Sequence, residues 1–227
     1  MIIDDVSMAK HKMGGLLTLI RESISFALED LQGSANVIQK KMLLTAMNGV
    51  ERLIRLTDNY FLIQKLDEGI IVLDSEVGDL NKAADAACSK FSAAAEQKGT
   101  GIILKLDDKL PKTKFDRELI GTVLENVIRN AVDFTEKGTI VIATSFDDES
   151  VRVSVSDTGC GMAEQEVSKL FHRFEKLSNN RAKNRSSDGL GLSVSKEIMD
   201  RHDGRIWLES TSDKGSTFVI SLPIRSD

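Results

Sequence analysis

Three polar side chains recur on one face of a predicted helix. Asn126, Asn130 and Asp133 are spaced i, i+4 and i+7, which places them in a row along one side of an α-helix. Amide and carboxylate oxygens are hard ligands that suit Mg²⁺ and the phosphate groups it carries. Taken alone, such a row is more typical of a solvated helix face. The apolar residues of the segment fall on another face and are expected in the core; they are Ile120, Leu124, Val127 and Ala131.

Glycine-rich segments follow this helix along the chain. Residues 157–161 come after a predicted strand, and their glycines would let a flat base approach the Asp157 carboxylate closely. Residues 189–192 lead into a helix, where backbone N–H groups can face phosphate oxygens. A third segment, residues 214–218, comes near the end. Each glycine pair alone is typical of a turn, but the order and spacing of the blocks indicate a nucleotide site.

These residues must be positioned by an alternation of strands and helices in the last two thirds of the chain. The predicted strands are residues 70–73, 102–106, 139–145, 150–157, 205–210 and 217–222. The predicted helices are residues 80–97, capped by Asp79, 117–134, and about 192–202. This alternation predicts an α/β sandwich, a mixed sheet with helices on one face. The polar and basic stretch 178–187 is expected to be a mobile loop.

The first third has a different pattern, with apolar residues in alternating steps of four and three, typical of coiled coils. Two long helices joined by a turn at residues 32–34 would form a helical hairpin. One hairpin cannot cover both of its apolar faces, which favours a two-fold dimer with a four-helix bundle. A hairpin packed on its own chain remains the alternative. The apolar positions are Met13, Leu17, Ile20, Ile24, Ala27, Leu31, Leu43, Met47, Val50, Ile54 and Phe61.

Composition excludes several classes of protein. The chain has 227 residues, with 30 Lys and Arg against 35 Asp and Glu and a formal net charge of −5, which argues against nucleic acid or an anionic membrane as a partner. Two cysteines make no disulfide scaffold and fit a reducing compartment. No apolar run approaches the roughly 20 residues that span a bilayer, and no signal peptide is visible, so we expect no direct membrane insertion.

The order of these blocks resembles the catalytic ATP-binding domain of bacterial sensor histidine kinases, within the ATPase superfamily that includes gyrase and chaperone relatives. Residues 126–130 resemble the N box, 157–161 and 189–192 two glycine boxes, 171–174 the F box, and 215–218 the last box. The leading hairpin is similar to the dimerisation and phosphotransfer domain of the same family. The resemblance therefore implies an α+β protein with two domains, residues 1–67 and 68–227.

The resemblance also implies roles for the site residues. Asp157 would take the adenine amino group, Asn130 would hold Mg²⁺ with Asn126 nearby, and Phe134 would line the base pocket. The loop 178–187 would be the ATP lid, and its cations would neutralise charge on the transferred phosphoryl group. The residues expected to bind ATP are Asn126, Asn130, Asp133, Phe134, Asp157, Gly159, Gly161, Phe174, Arg181, Lys183, Arg185, Gly189, Leu190, Gly191, Leu192 and Thr217.

His11 is the expected phosphate acceptor. It aligns with the H box of the family, together with Leu17 and Thr18, and it lies nine residues from Ile20, a rotation of about 180° that points it away from the hairpin seam. A neutral ring nitrogen would attack the γ-phosphorus of Mg·ATP, and the phosphoryl group would pass to an Asp of a response regulator receiver domain. His172 and His202 are expected to be structural.

Several positions depart from the family pattern. Lys12 stands where an acidic residue usually orients the imidazole, glycines occupy positions 14 and 15, Asp133 replaces a Lys, and Ser187 replaces a Gly. Lys12, Gly15 and Asp133 favour an alternative, a nucleotide-binding module that phosphorylates itself poorly and regulates a partner kinase or regulator. A third reading is an ATP-driven clamp. Hydrolysing relatives carry a water-activating Glu at the position of Asn126, and an amide cannot act as a general base, which argues against the clamp.

The partners expected from this reading are a second copy of the chain, through the hairpin, and a response regulator. The location expected is the cytoplasm. No sensor domain is visible, and His11 lies close to the start of the sequence. We therefore expect either the cytoplasmic portion of a larger sensor or a chain whose input comes from a separate protein.

Overall fold

The computed structural model describes residues 2–30, 37–175 and 189–225, with side chains from residue 13 to 28 and from residue 38 onward within those ranges. The chain divides into two compact units, residues 1–70 and residues 71–227. The functional boundary between residues 67 and 68 stays a prediction. Within the described residues, no helix combines the length and the hydropathy needed to cross a membrane.

The first unit consists of two long helices that pack against each other, α1 (Ile2–Asp30) and α2 (Val37–Asp67). The hairpin predicted from the apolar spacing is confirmed, although its turn lies outside the described residues. Of the predicted seam, Val50 and Phe61 are buried, whereas Met13 and Ile20 are exposed. Large apolar side chains remain exposed along both helices: Met13, Leu16, Leu19, Ile20, Phe26, Ile38, Met42, Leu44, Leu53 and Tyr60.

The strand predicted at residues 70–73 is absent. The way α2 ends explains why Ile70 does not begin a strand. Gly69 has a φ of 66°, its N–H donates to Leu66 O at 3.0 Å, and the Ile70 N–H donates to Lys65 O at 3.0 Å. This pair of bonds is a Schellman motif, which fixes Ile70 at the helix end rather than in a sheet. The strand forms later instead, as β1 (Ser75–Gly78).

A mixed five-stranded sheet forms the centre of the second unit, as predicted. Its strands are β2 (Gly101–Lys105), β4 (Thr139–Phe146), β5 (Ser150–Asp157), β6 (Arg205–Ser212) and β7 (Gly215–Pro223), in the order β2-β4-β5-β7-β6. β2 is parallel to β4 and the other pairs are antiparallel. A separate two-stranded sheet pairs β1 with β3 (Thr113–Asp116), a strand that the sequence patterns did not predict.

Helices pack on this sheet and build the core with it. They include α3 (Leu80–Ser89), α5 (Arg117–Phe134) and α7 (Gly191–Arg201); α5 contacts α3, α7 and β5. Asp116 caps α5, because its Oδ1 accepts the N–H groups of Glu118 and Leu119 at 3.1 Å each. The core face predicted for α5 is confirmed, since all four of its residues are buried: Ile120, Leu124, Val127 and Ala131.

The helix predicted over residues 80–97 is two helices, α3 and α4 (Ser92–Gln97). The Phe91 N–H donates to Cys88 O at 2.9 Å, and the Ser92 hydroxyl also donates to this carbonyl at 3.3 Å. The Phe91 bond reaches three residues back instead of four, which is a tighter turn that ends α3 before α4 begins. The predicted cap is confirmed, since Asp79 Oδ1 accepts the Lys82 N–H at 3.2 Å. A short helix that was not predicted, α6, covers Glu164–Val167.

Candidate active site

A cavity forms where the last turns of α5 meet the end of β5 and the starts of α7 and β7. Five of the residues predicted from the sequence line it together, although they come from separate blocks: Asn130, Phe134, Asp157, Gly161 and Leu192. The remaining lining residues are Ala131, Met162, Leu170, Ser216 and Phe218. The cavity thus combines an apolar wall with an amide, a hydroxyl and one carboxylate.

Among the described residues, Asp157 is the one acid in the cavity lining. It ends β5, and its Oδ1 accepts the Gly159 N–H at 2.7 Å. Burial raises the pKa of the Asp157 carboxyl, and hydrogen bonds from the backbone N–H groups of Gly159 and Ser216 partly oppose that rise. The carboxylate is therefore held in a fixed position at a poorly solvated site, where a donor from a ligand would stabilise its charge.

Glycine is required at two positions beside this carboxylate. A Cβ at Gly159 would lie 2.3 Å from Phe134 O, and one at Gly161 would lie 1.5 Å from Ser212 O. Gly161 also has a φ of 60°, which L side chains rarely adopt. The loop after β5 can therefore pack this closely against its neighbours only because these two positions lack side chains.

The cavity is small in this structure. Its volume is about 40 Å³, far below the roughly 300–1,000 Å³ typical of sites for small molecules. A purine base is several times larger than a water molecule. A purine could therefore enter only if the lining side chains moved. Any nucleotide-binding function of this cavity requires that movement.

Comparisons with known proteins show which proteins this chain resembles. Residues 115–226 match the family described as "Histidine kinase-, DNA gyrase B-, and HSP90-like ATPase". The chain is 28% identical over 225 residues to the sensor histidine kinase WalK of Bacillus subtilis, covering 98% of this chain and 36% of that protein. It is 28% identical over 221 residues to a WalK of Staphylococcus aureus, covering 96% of this chain and 52% of that sequence. The resemblance to sensor histidine kinase cores is confirmed.

Solved structures agree with this family. The chain superposes on full-length ShkA in complex with AMPPNP with a TM-score of 0.74 at 21% identity, covering 99% of this chain and 46% of that one. The histidine kinase AdeS of Acinetobacter baumannii gives 0.65 at 20% identity, covering 92% and 96%. The catalytic domain of the histidine kinase ThkA gives 0.58 at 28% identity, covering 66% and 97%. The chain thus has the fold of a histidine kinase core but spans only about a third to a half of the WalK sequences.

Ser216 lines the cavity, whereas the predicted Thr217 does not. Neighbouring residues of a strand face opposite sides, and the Thr217 hydroxyl lies 3.0 Å from the Ser156 hydroxyl on the neighbouring strand. Ser216 Oγ lies 3.0 Å from Thr211 Oγ1, which accepts the Met162 N–H at 3.0 Å. The sequence could have indicated that Ser216 faces the cavity. Residues two apart in a strand share a face, so the apolar Phe218, which faces the core, places Ser216 on the same side.

Asn126 lies outside the cavity lining and joins two helices. Its Nδ2 donates to Gly191 O at 3.0 Å and to Ser195 Oγ at 3.2 Å, so the side chain connects α5 to the first turn of α7. A Cβ at Gly191 would lie 3.3 Å from Asn126 Oδ1, which shows how closely the two helices approach. The predicted role of Asn126 as a metal ligand stays a prediction.

Asp133 also lies outside the cavity lining, and a lysine ammonium group lies close to its carboxylate. Lys98 Nζ lies 3.5 Å from Asp133 Oδ1 and donates to Val132 O at 2.8 Å. A cation at the C-terminal end of α5 stabilises both the carboxylate and the helix dipole. The expected pairing of Asp133 with the lid cannot be placed, because Arg181, Lys183 and Arg185 lie outside the described residues.

The other predicted residues surround the cavity or lie away from it. Phe174 is 62% exposed, has a φ of 63°, and donates its N–H to Gly189 O at 2.8 Å. Leu190 is fully buried before α7. From the F-box region it is Leu170, not Phe174, that lines the cavity. His11 lies within α1, and its side chain is outside the described part of the chain.

Two histidines have the positions expected of non-catalytic residues. His172 is exposed and does not line the cavity. His202 is buried at the end of α7, with Nδ1 2.8 Å from Ile198 O and Nε2 accepting the Asp116 N–H at 3.1 Å. Both ring nitrogens of His202 are therefore engaged with backbone groups, which supports a structural role.

The raised pKa of Asp157 predicts a pH-dependent difference between the wild type and Asp157→Asn. The folded protein retains this proton to higher pH than the unfolded chain, so ionised Asp157 lowers the free energy of unfolding at neutral pH. Below the ordinary carboxyl pKa the residue is protonated in both states and this effect vanishes. Thermal unfolding from acidic to neutral pH should therefore show Asp157→Asn gaining in Tm relative to the wild type as the pH rises. A constant or opposite difference would contradict the burial argument.

Proposed function

We propose that this chain is the catalytic core of a protein histidine kinase. His11 takes the γ-phosphoryl group from Mg·ATP held in the second unit and then passes it to an Asp of a response regulator receiver domain. The observation that carries the proposal is the single cavity that brings together Asn130, Asp157 and Gly161, residues from separate sequence blocks. Because the chain spans only part of its relatives, this activity and its partners are inferred for the chain itself.

The cavity has the chemistry that adenine recognition needs. The Asp157 carboxylate is an acceptor for the exocyclic amino group, and its partly buried charge would be stabilised by that donor. Gly159 and Gly161 let the loop that holds this carboxylate pack closely against Phe134 O and Ser212 O. Phe134, Leu170 and Leu192 supply apolar surface. Together these groups support an aromatic ligand with an amino donor.

The donor set also fits Mg²⁺ bound through a nucleotide. Within the described residues, no group of three or more His, Cys, Asp or Glu side chains could hold a metal by itself. The Asn130 amide oxygen would be a protein ligand, with Asn126 nearby, and phosphate oxygens and water would complete the shell, as is usual for Mg²⁺ in kinases. Bound Mg²⁺ would neutralise charge on the phosphates.

The surroundings of Asn126 support transfer rather than hydrolysis. An amide cannot accept a proton from water, and the Asn126 Nδ2 already donates to Gly191 O and Ser195 Oγ. ATP bound beside it would be spared for a stronger nucleophile. His11 in α1 is the proposed nucleophile, and its neutral ring nitrogen would form the bond to phosphorus as the bond to ADP breaks.

The exposed apolar side chains of α1 and α2 support a homodimer. Leu16, Leu19 and Phe26 on α1 and Met42 on α2 are each more than 60% exposed in the single chain. An unpartnered apolar face of two helices is commonly buried in a four-helix bundle. We propose that two copies pair in this way, in the cytoplasm, where ATP and receiver domains occur.

The proposal is tested by incubating the chain with γ-labelled Mg·ATP. A phosphohistidine should appear as label that is lost in acid and retained in base, and the label should move to a receiver domain that carries its Asp. Tight nucleotide binding with no retained label would favour the alternative, a nucleotide-binding module that regulates a partner kinase or regulator. Release of free phosphate without labelled protein would favour the clamp.

Gly14 and Gly15 are expected to keep the approach to His11 clear. A Cβ at either position meets nothing within 4 Å, so alanine fits. Each Gly→Ala change should stabilise α1 by about 1 kcal/mol. The double variant Gly14→Ala, Gly15→Ala should nevertheless phosphorylate more slowly than wild type in a labelling time course.

Gly49→Ala provides the matched control for this pair. Gly49 lies in α2, and its Cβ would also meet nothing within 4 Å. This variant should gain similar helix stability and keep the wild-type labelling rate. Equal rates in the double variant and the control would refute a role of Gly14 and Gly15 in access to His11.

A further inference from the structure

A second concavity lies on the surface between α3 and α5. It has a volume of about 580 Å³, within the roughly 300–1,000 Å³ typical of sites for small molecules. It shares no lining residue with the cavity that contains Asp157. We call it the α3/α5 groove and define it by Lys82, Ala83, Ala87, Lys112, Phe115, Arg117, Gly121 and Glu125 among its lining residues.

The floor of the α3/α5 groove is made of small residues. Ala83 and Ala87 on α3 and Gly121 on α5 line it, and the side chain of Val77, which is 46% exposed, adds apolar surface. A Cβ at Gly121 would meet nothing within 4 Å. The glycine is therefore not required by the packing of the chain itself, and the space above it is open.

Lining residues from different elements mark the two ends of the groove. At one end Lys90 Nζ lies 2.5 Å from Glu125 Oε1, an ion pair that joins α3 to α5. At the other end lie Val77 and Lys112, which belong to β1 and to the segment before β3. The distance along α5 from Arg117 to Glu125 is about 12 Å at 1.5 Å per residue. This length suits a small molecule better than a long helix or strand of a partner.

The open part of the groove has an excess of cations without partners. Within the described ranges, Lys82, Lys112 and Arg117 form no ion pair. Of the acids there, Asp79 is engaged as the cap of α3, and Glu118 also lines the groove. A guanidinium and ammonium groups at the first turns of two helices favour a carboxylate or phosphate.

We propose that the α3/α5 groove binds a small organic anion with an apolar body. The body would lie on the alanine and glycine floor beside Val77, and its carboxylate or phosphate would pair with Arg117 and Lys82. This inference goes beyond the kinase proposal and does not depend on it, because the groove contains none of the residues proposed to bind ATP.

The proposal is tested by NMR titration of the isotope-labelled full chain with phenylbutyrate, in the presence of excess AMPPNP to occupy the first cavity. Saturable shifts are expected at the amides of Ala83, Ala86 and Gly121. The uncharged analogue phenylbutyramide should bind at least about tenfold more weakly. Inorganic phosphate alone should also bind more weakly, which separates an amphiphilic anion from a simple phosphate.

Variants separate groove binding from non-specific association. Gly121→Leu should fill the groove and remove the saturable shifts, and Ala86→Leu provides a second filling variant if the first does not fold. Arg117→Gln with Lys82→Gln should weaken binding about tenfold or more. Lys214→Gln, an exposed lysine outside the groove, is the control and should leave binding unchanged. Absence of saturable shifts in the groove, equal binding of the amide, or unchanged binding after filling would overturn the proposal.

Discussion

Replacing His11 with alanine is expected to abolish acid-labile phosphorylation, a loss of more than about a thousandfold in rate. Removing the nucleophile leaves no group in the proposed reaction to accept phosphorus. Nucleotide affinity should stay within about twofold of wild type, because every residue that lines the cavity belongs to the second unit, whereas His11 lies in α1 of the first. A labelling time course and AMPPNP titration of the same preparation measure both quantities.

His172→Ala is the matched control for His11→Ala. His172 is exposed and lines neither of the two concavities, so its removal should leave labelling and affinity unchanged. Acid-labile label that persists in His11→Ala would remove His11 from the mechanism. Label lost in His172→Ala instead would move the acceptor to the F-box region.

Gly161→Ala is expected to cause the largest loss in the second unit. The new Cβ would lie 1.5 Å from Ser212 O, and the backbone has a φ of 60°. Since the backbone carbonyl cannot move aside as a flexible side chain could, the loop and the end of β6 must shift. We expect a loss of about 3 kcal/mol or more in the free energy of unfolding. AMPPNP affinity should fall at least about tenfold, because the loop carries the Gly159 N–H, which donates to Asp157 Oδ1.

Gly101→Ala controls for the change of residue type. Gly101 lies in the edge strand β2, a Cβ there meets nothing within 4 Å, and its φ is not in the left-handed region. This variant should stay within about 0.5 kcal/mol of wild type in denaturant unfolding. Equal losses in the two variants, or no loss in Gly161→Ala, would show that close approach of the loop is not what the glycine provides.

Patterns that repeat along the chain allowed accurate prediction from sequence. The predicted helix over residues 117–134 has the bounds of α5, and its buried face repeats with helical spacing. Strand β5 was likewise predicted over its full length, from Ser150 to Asp157. The location of Asp157 in the cavity followed from its position at that strand end.

The failures come from local chemistry and from contacts distant in sequence. Ile70 reads as a strand residue, but the Schellman motif at Gly69 fixes it at the end of α2. The pairing of Asp133 with Lys98 joins residues far apart in sequence, and no local pattern could indicate it. β1 and β3 have only four residues each, too few for an alternating pattern to be recognised.

The central claim is that the cavity beside Asp157 opens to hold a nucleotide. The volume of the cavity in this structure is only about 40 Å³, so a nucleotide can bind there only if the cavity widens. Isothermal calorimetry of Mg·AMPPNP with the full chain therefore tests the claim directly. The account predicts saturable binding of one nucleotide per chain, weakened about tenfold or more in Asp157→Asn through loss of the charged acceptor for the adenine amino group. Absence of binding at millimolar nucleotide, or equal affinity in Asp157→Asn, would contradict it.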